Sequence, residues 1–96
     1  MIIKLEYKAI SLKLYELMSI AKEVGREIDL LETYTDELFA FWSSMAEAEY
    51  YMRIMADLYN AKALNEKIKQ EIRLFSEGVK RFDEAEKRVS EMIEEM

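Results

Sequence analysis

The sequence predicts an all-α fold: an antiparallel hairpin of two long helices that dimerises into a four-helix bundle. Three observations predict it. The 96 residues include no proline, the residue that most reliably ends a helix. Apolar residues recur at 4-3 spacing through both halves of the chain. Between the halves lies Phe41-Trp42-Ser43-Ser44-Met45-Ala46-Glu47, the one segment with turn and cap signals. A single domain over residues 1–96 follows, because a chain this short holds one domain at most.

The first helix is placed at residues 7–41, about 50 Å at 1.5 Å per residue. Its stripe is Ile10, Leu14, Leu17, Ala21, Val24, Ile28, Leu31, Thr35, Leu38 and Trp42, with threonine the only polar member. Such a run is a coiled-coil seam. Leu17, Val24, Ile28, Leu31 and Leu38 are its expected core and dimer residues. Met18 and Phe39 flank the stripe on one edge, and Ile20, Tyr34 and Phe41 on the other. The apolar face is therefore wider than a two-helix seam requires.

The corner is assigned to residues 42–44 and the second helix to residues 45–94. Ser44-Met45-Ala46-Glu47 reads as a capping box, in which the serine hydroxyl accepts from the Glu47 N–H and the Glu47 carboxylate accepts from the Ser44 N–H. The stripe runs through Met45, Ala48, Met52, Met55 and Tyr59, then falters over residues 60–65. A shift of phase is expected there, with a locally altered supercoil. The stripe resumes at Ile68, Ile72, Phe75, Val79, Phe82, Glu86, Val89 and Ile93. Gly25 and Gly78 weaken their helices by about 1 kcal/mol each relative to alanine. The second helix overhangs the first, and its last dozen or so residues are expected to fray for want of a partner.

A lone two-helix hairpin buries little core. Two wide apolar faces therefore predict a second hairpin, supplied by another copy or by a paralogue. Charge indicates how they dock. Residues 23–57 carry Arg26 and Arg53 against nine acids, a net −7, whereas residues 1–22 and 58–76 each carry +2. An antiparallel dimer sets each acidic corner beside the partner's basic end.

Composition excludes several functions. Without histidine or cysteine there is no disulfide frame, no thiolate or imidazole metal ligand and no common general base. No catalytic residue, cofactor site or metal site is expected. Ser43 and Ser44 lack a base to activate them and serve as caps. The seven methionines follow the stripe as adaptable filler. Glu23/Glu27 and Asp36/Glu37 form a solvated face, and Asp83/Lys87 and Glu84/Arg88 are i,i+4 helix pairs. The net charge of −6 makes a poor nucleic-acid binder. No apolar run is long enough to span a bilayer, and residues 1–6 do not read as a cleavable signal peptide. Trp42 alone reads as a plug at the end of the hairpin core. Glu86 alone admits two readings. It is a charge tolerated on an exposed tail, or it is part of a recognition strip of spaced hydrophobes.

The residues at the corner and tail carry a resemblance. Trp42 and Ser44 fall on a W-x-G-like corner near mid-chain, Ala48-Glu49-Tyr50 continues it, and Ile3-Lys4-Leu5 forms a hydrophobic-basic-hydrophobic lead-in. Phe82, Glu86, Val89 and Ile93 have the spacing aromatic, acid four later, hydrophobe three beyond and another four beyond that. Over essentially its whole length the chain resembles the WXG-motif, ESAT-like family of type VII secretion. Ser44 stands where the motif has glycine, and Phe82 where tyrosine is commoner. The resemblance implies a non-enzymatic export substrate or export partner. It implies that a secretion ATPase reads Phe82, Glu86, Val89 and Ile93 in the tail, residues 82–96. It also implies cytoplasmic folding followed by secretion or cell-surface display without a cleaved signal peptide. The rival expectation is an intracellular coiled-coil adaptor or structural protein, with the tail continuing as coiled coil.

Overall fold

The computed structural model describes the backbone of residues 2–41 and 45–95, and the side chains of residues 6–41 and 48–95. It is an all-α helical hairpin: α1 spans Ile2–Phe39 and α2 spans Met45–Glu95. Trp42, Ser44 and the capping box lie outside the described residues. The second helix nevertheless starts at Met45, the first position after the expected cap. At its far end α1 closes with Ala40 N–H donating to the Asp36 carbonyl at 3.2 Å and Phe41 N–H to that of Leu38 at 3.1 Å. The second bond reaches back three residues, the tightened last turn common at helix ends.

The first helix begins five residues earlier than the periodicity predicts, at Ile2 instead of residue 7. The extra turn is the Ile2-Ile3-Lys4-Leu5-Glu6 segment, which has no helix breaker. The start of α1 lies against the tail: Tyr7 of α1 contacts Phe82 of α2. Helix continues through the tail to Glu95.

The chain divides into two compact units, Met1–Ser19 with Lys69–Met96 and Ile20–Ile68. Each pairs a stretch of α1 antiparallel with a stretch of α2. In the first unit Leu14 is buried, and Met18, Ile72 and Val79 are half-buried. In the second, Ala21, Ile28 and Leu58 are buried. Asn65 is buried among them, and its amide Nδ2 donates to the Ala21 carbonyl at 3.0 Å. A buried amide so satisfied avoids most of its desolvation penalty.

The seam along each helix is narrower than the sequence stripe. On α1 the residues turned inward step by sevens through Tyr7, Leu14, Ala21, Ile28 and Thr35. The polar member, Thr35, returns its hydroxyl to the Leu31 carbonyl of its own helix at 2.6 Å. Of the five expected core residues only Ile28 is buried within the hairpin. Leu17, Val24, Leu31 and Leu38 are exposed on the single chain.

On α2 the expected phase shift is absent. The inward row is an unbroken heptad of Tyr51, Leu58, Asn65, Ile72, Val79 and Glu86, while Met52 and Tyr59 of the expected stripe face outward. The cause is chemical. Asn65 and Lys62 occupy seam positions in the stretch where hydrophobicity falters, so an apolar stripe loses the row there while the packing keeps it.

Candidate functional site

Lys62 lies half-buried between two acids of α1. It donates to the Glu32 carboxylate and lies 3.3 Å from Asp29. Glu32 first, and Asp29 second, raise its pKa above the usual 10.5. A turn or two nearer the corner, Tyr51 stacks on Phe39 with ring centroids 4.1 Å apart. Its hydroxyl donates to Asp36 Oδ1 at 2.5 Å, and this bond is the main reason that its phenol titrates above 10.0. These ties hold the acidic end of the hairpin together. They also show why the aromatic of the expected corner motif is not the one that packs. Tyr50 is 61% exposed, whereas Tyr51, one residue on, falls on the seam.

The expected tail signal is built differently. At about 100° per residue, Phe82, Glu86, Val89 and Ile93 fall within roughly a 60° arc of α2. That arc straddles the edge of the seam. Phe82, Val89 and Ile93 are exposed, at 63%, 54% and 66%. Glu86 is half-buried, and its Oε2 has no hydrogen-bond partner.

Tyr7 covers the inner side of this group. Its ring meets Phe82 edge-on, with centroids 5.6 Å apart and planes at 64°, a favoured aromatic geometry. Its phenol faces the Glu86 carboxylate. Burial first, and then the charge and hydrogen-bond acceptance of Glu86, raise the Tyr7 pKa above 10.0. Asp83 is tied at 3.2 Å to Lys87, the i,i+4 pair expected there. The tail thus presents three spaced hydrophobes outward and one carboxylate inward.

Sequence reasoning singled out the four tail positions but missed Tyr7, which packs on Phe82, and Tyr51, Lys62 and Asn65, which tie α1 to α2 in the other unit. The seven-residue spacing of Tyr51, Leu58 and Asn65 was the available signal, visible only when polar residues are allowed into the seam.

Beside Leu14 the first unit has an open apolar groove of about 530 Å³, lined by Leu14, Tyr15, Met18 and Ile72 among others. Among the described residues no group of three or more carboxylates is placed to hold a metal ion, and no helix is long and apolar enough to cross a membrane. Outside the seam, each helix exposes a second apolar row. On α1 it is Ile10, Leu17, Val24, Leu31 and Leu38, with Ile20, Tyr34 and Phe41 beside it. On α2 it is Ile54, Ile68, Phe75, Phe82 and Val89.

No family model, no curated protein and no solved structure matches the chain.

Proposed function

We propose that this is a non-enzymatic helical protein that works by assembly, as a substrate or export partner of a type VII-like secretion system. The observation carrying the assembly part is the pair of exposed heptad rows. Among the described residues only Leu14, Ala21, Ile28 and Leu58 are buried hydrophobes. A compact protein of 11.4 kDa exposes about 5,800 Å² by the usual relation of surface to mass, whereas this chain exposes 8168 Å². Covering both rows with a second hairpin removes a large apolar area from water, each Å² worth about 25 cal/mol before association costs. The occupant is a second copy or a paralogue, docked antiparallel so that the −7 corner segment meets the basic end.

The secretion part is supported by the resemblance at Trp42 and Ser44 and by the tail spacing, with Phe82, Val89 and Ile93 accessible to a receptor such as a secretion ATPase. Replacing Val89 or Ile93 with alanine removes an exposed side chain and leaves the hairpin seam untouched. In the source cells both variants, and Phe82→Ala and Glu86→Ala, are expected to fold and remain inside while the parent chain reaches the medium. Normal secretion of all four would end the assignment of these residues as the export signal.

A second reading, an intracellular coiled-coil adaptor, is favoured by one observation: α2 stays helical through the tail to Glu95, with Phe82 packed on Tyr7. Retention of the unmodified chain in the source cells, with a partner helix bound along residues 82–95, would establish it.

A further inference from the structure

We propose that Tyr7 is an internal occupant of the tail signal, so that a receptor reads Glu86 by displacing it. This rests on the export reading above, and it adds how the signal is regulated and what chemistry its reader brings.

Three observations in the same unit converge. Tyr7 covers one edge of Phe82. After burial, the charge and hydrogen-bond acceptance of Glu86 are what raise the pKa of its phenol. The Glu86 Oε2 is shut off from solvent yet has no donor. A receptor cannot bond a carboxylate oxygen that is closed to solvent. For that oxygen of Glu86 to be read, the start of α1 must part from the tail. Phe82, Val89 and Ile93 need no such step, because they are already exposed.

What Tyr7 supplies describes what must replace it: an aromatic edge against Phe82, and a hydrogen-bond donor for Glu86. The reader is therefore a protein surface presenting a tyrosine, or an aromatic beside an arginine. It gains where Tyr7 falls short, by giving Oε2 the donor it lacks. Charge-assisted bonds to a carboxylate are stronger than neutral ones. Displacement also makes recognition conditional. When only a fraction of chains is open, apparent affinity falls by that fraction. A second hairpin or any other ligand that holds the start of α1 away from the tail would raise that fraction and license export.

The test is pulse-chase secretion of tagged chains from the source cells. Tyr7→Ala is expected to reach the medium roughly two- to tenfold faster than the parent, the range set by losing one aromatic pair. Tyr7→Phe, which keeps the ring and removes the donor, is expected to fall between them. Rates equal to the parent for both would overturn masking. Since Tyr7→Ala could unfold the unit, a second measurement uses the natural absence of cysteine. A permeant thiol cross-linker joins Lys8→Cys to Asp83→Cys, the sequence neighbours of the contacting Tyr7 and Phe82. Linked chain is expected to stay in the cells while the unlinked double variant is secreted. A link between Glu32→Cys and Lys62→Cys, away from the tail, is the control and is expected to pass. Secretion of both linked chains alike overturns masking. Retention of the parent chain itself overturns the export reading instead, so the two failures are distinguishable.

Discussion

Gly78 shows how little some single positions are constrained. It is exposed, its φ is negative, and a Cβ built on it meets nothing within 4 Å. Glycine in a helix interior lies about 1 kcal/mol below alanine. Gly78→Ala is therefore expected to raise stability by roughly that amount in thermal or urea unfolding; a loss would mean that another chain approaches the backbone there. Ionisation defines a second prediction at this scale. Tyr7, Tyr51 and Lys62 all have pKa values raised above 10.0 or 10.5 in the folded chain. Each is thus more protonated in the native state than in the unfolded chain at high pH. The resulting stability is fully present below about pH 10 and is lost as pH rises through the raised values. Unfolding midpoints should hold level from neutral pH to about 10 and then fall, less steeply in Tyr51→Phe.

At the scale of the helix, the heptad row and the apolar stripe make opposite statements about α2. Leu58 is buried, although the stripe omits it; Tyr59 is on the stripe yet 73% exposed. Leu58→Ala should cost about 2–4 kcal/mol by opening a cavity, and Tyr59→Ala less than about 1 kcal/mol in the isolated hairpin. The reverse order, measured by denaturant unfolding, would mean that α2 is rotated from its described orientation. The two helices were legible in the sequence because proline-free 4-3 spacing is a local signal. Which edge of each broad face turns inward was not, since that depends on cross-helix chemistry. Asn65, Lys62 and Tyr51 settle it with partners 15 to 44 residues away. Spacing singles out the tail residues, but nothing local tells that Tyr7 lies against Phe82.

For the whole molecule, the unpartnered rows make assembly the decisive measurement. Leu31 is exposed on α1 and contributes nothing to the hairpin core. Leu31→Glu should leave helicity intact and yield the mass of one chain in sedimentation, where the parent yields a larger species whose melting temperature rises with concentration. A parent chain that stays monomeric and stable on dilution would leave the rows to some other ligand. Orientation is tested separately: in an antiparallel pair, cross-linkers at position 42 should not join the two copies.

Asn65 has a consequence beyond its one bond. Two helices with seven-residue repeats fit almost as well after sliding by a heptad, since one hydrophobe replaces another. Sliding would move Asn65 from Ala21 to the neighbourhood of Leu14 or Ile28, stranding its amide beside a bulky aliphatic side chain at about 1–3 kcal/mol. A polar side chain in an apolar seam trades some stability for alignment in just this way. The amide acts as an index mark on an otherwise repetitive ruler, and a chain carrying leucine there would be free to settle one notch out.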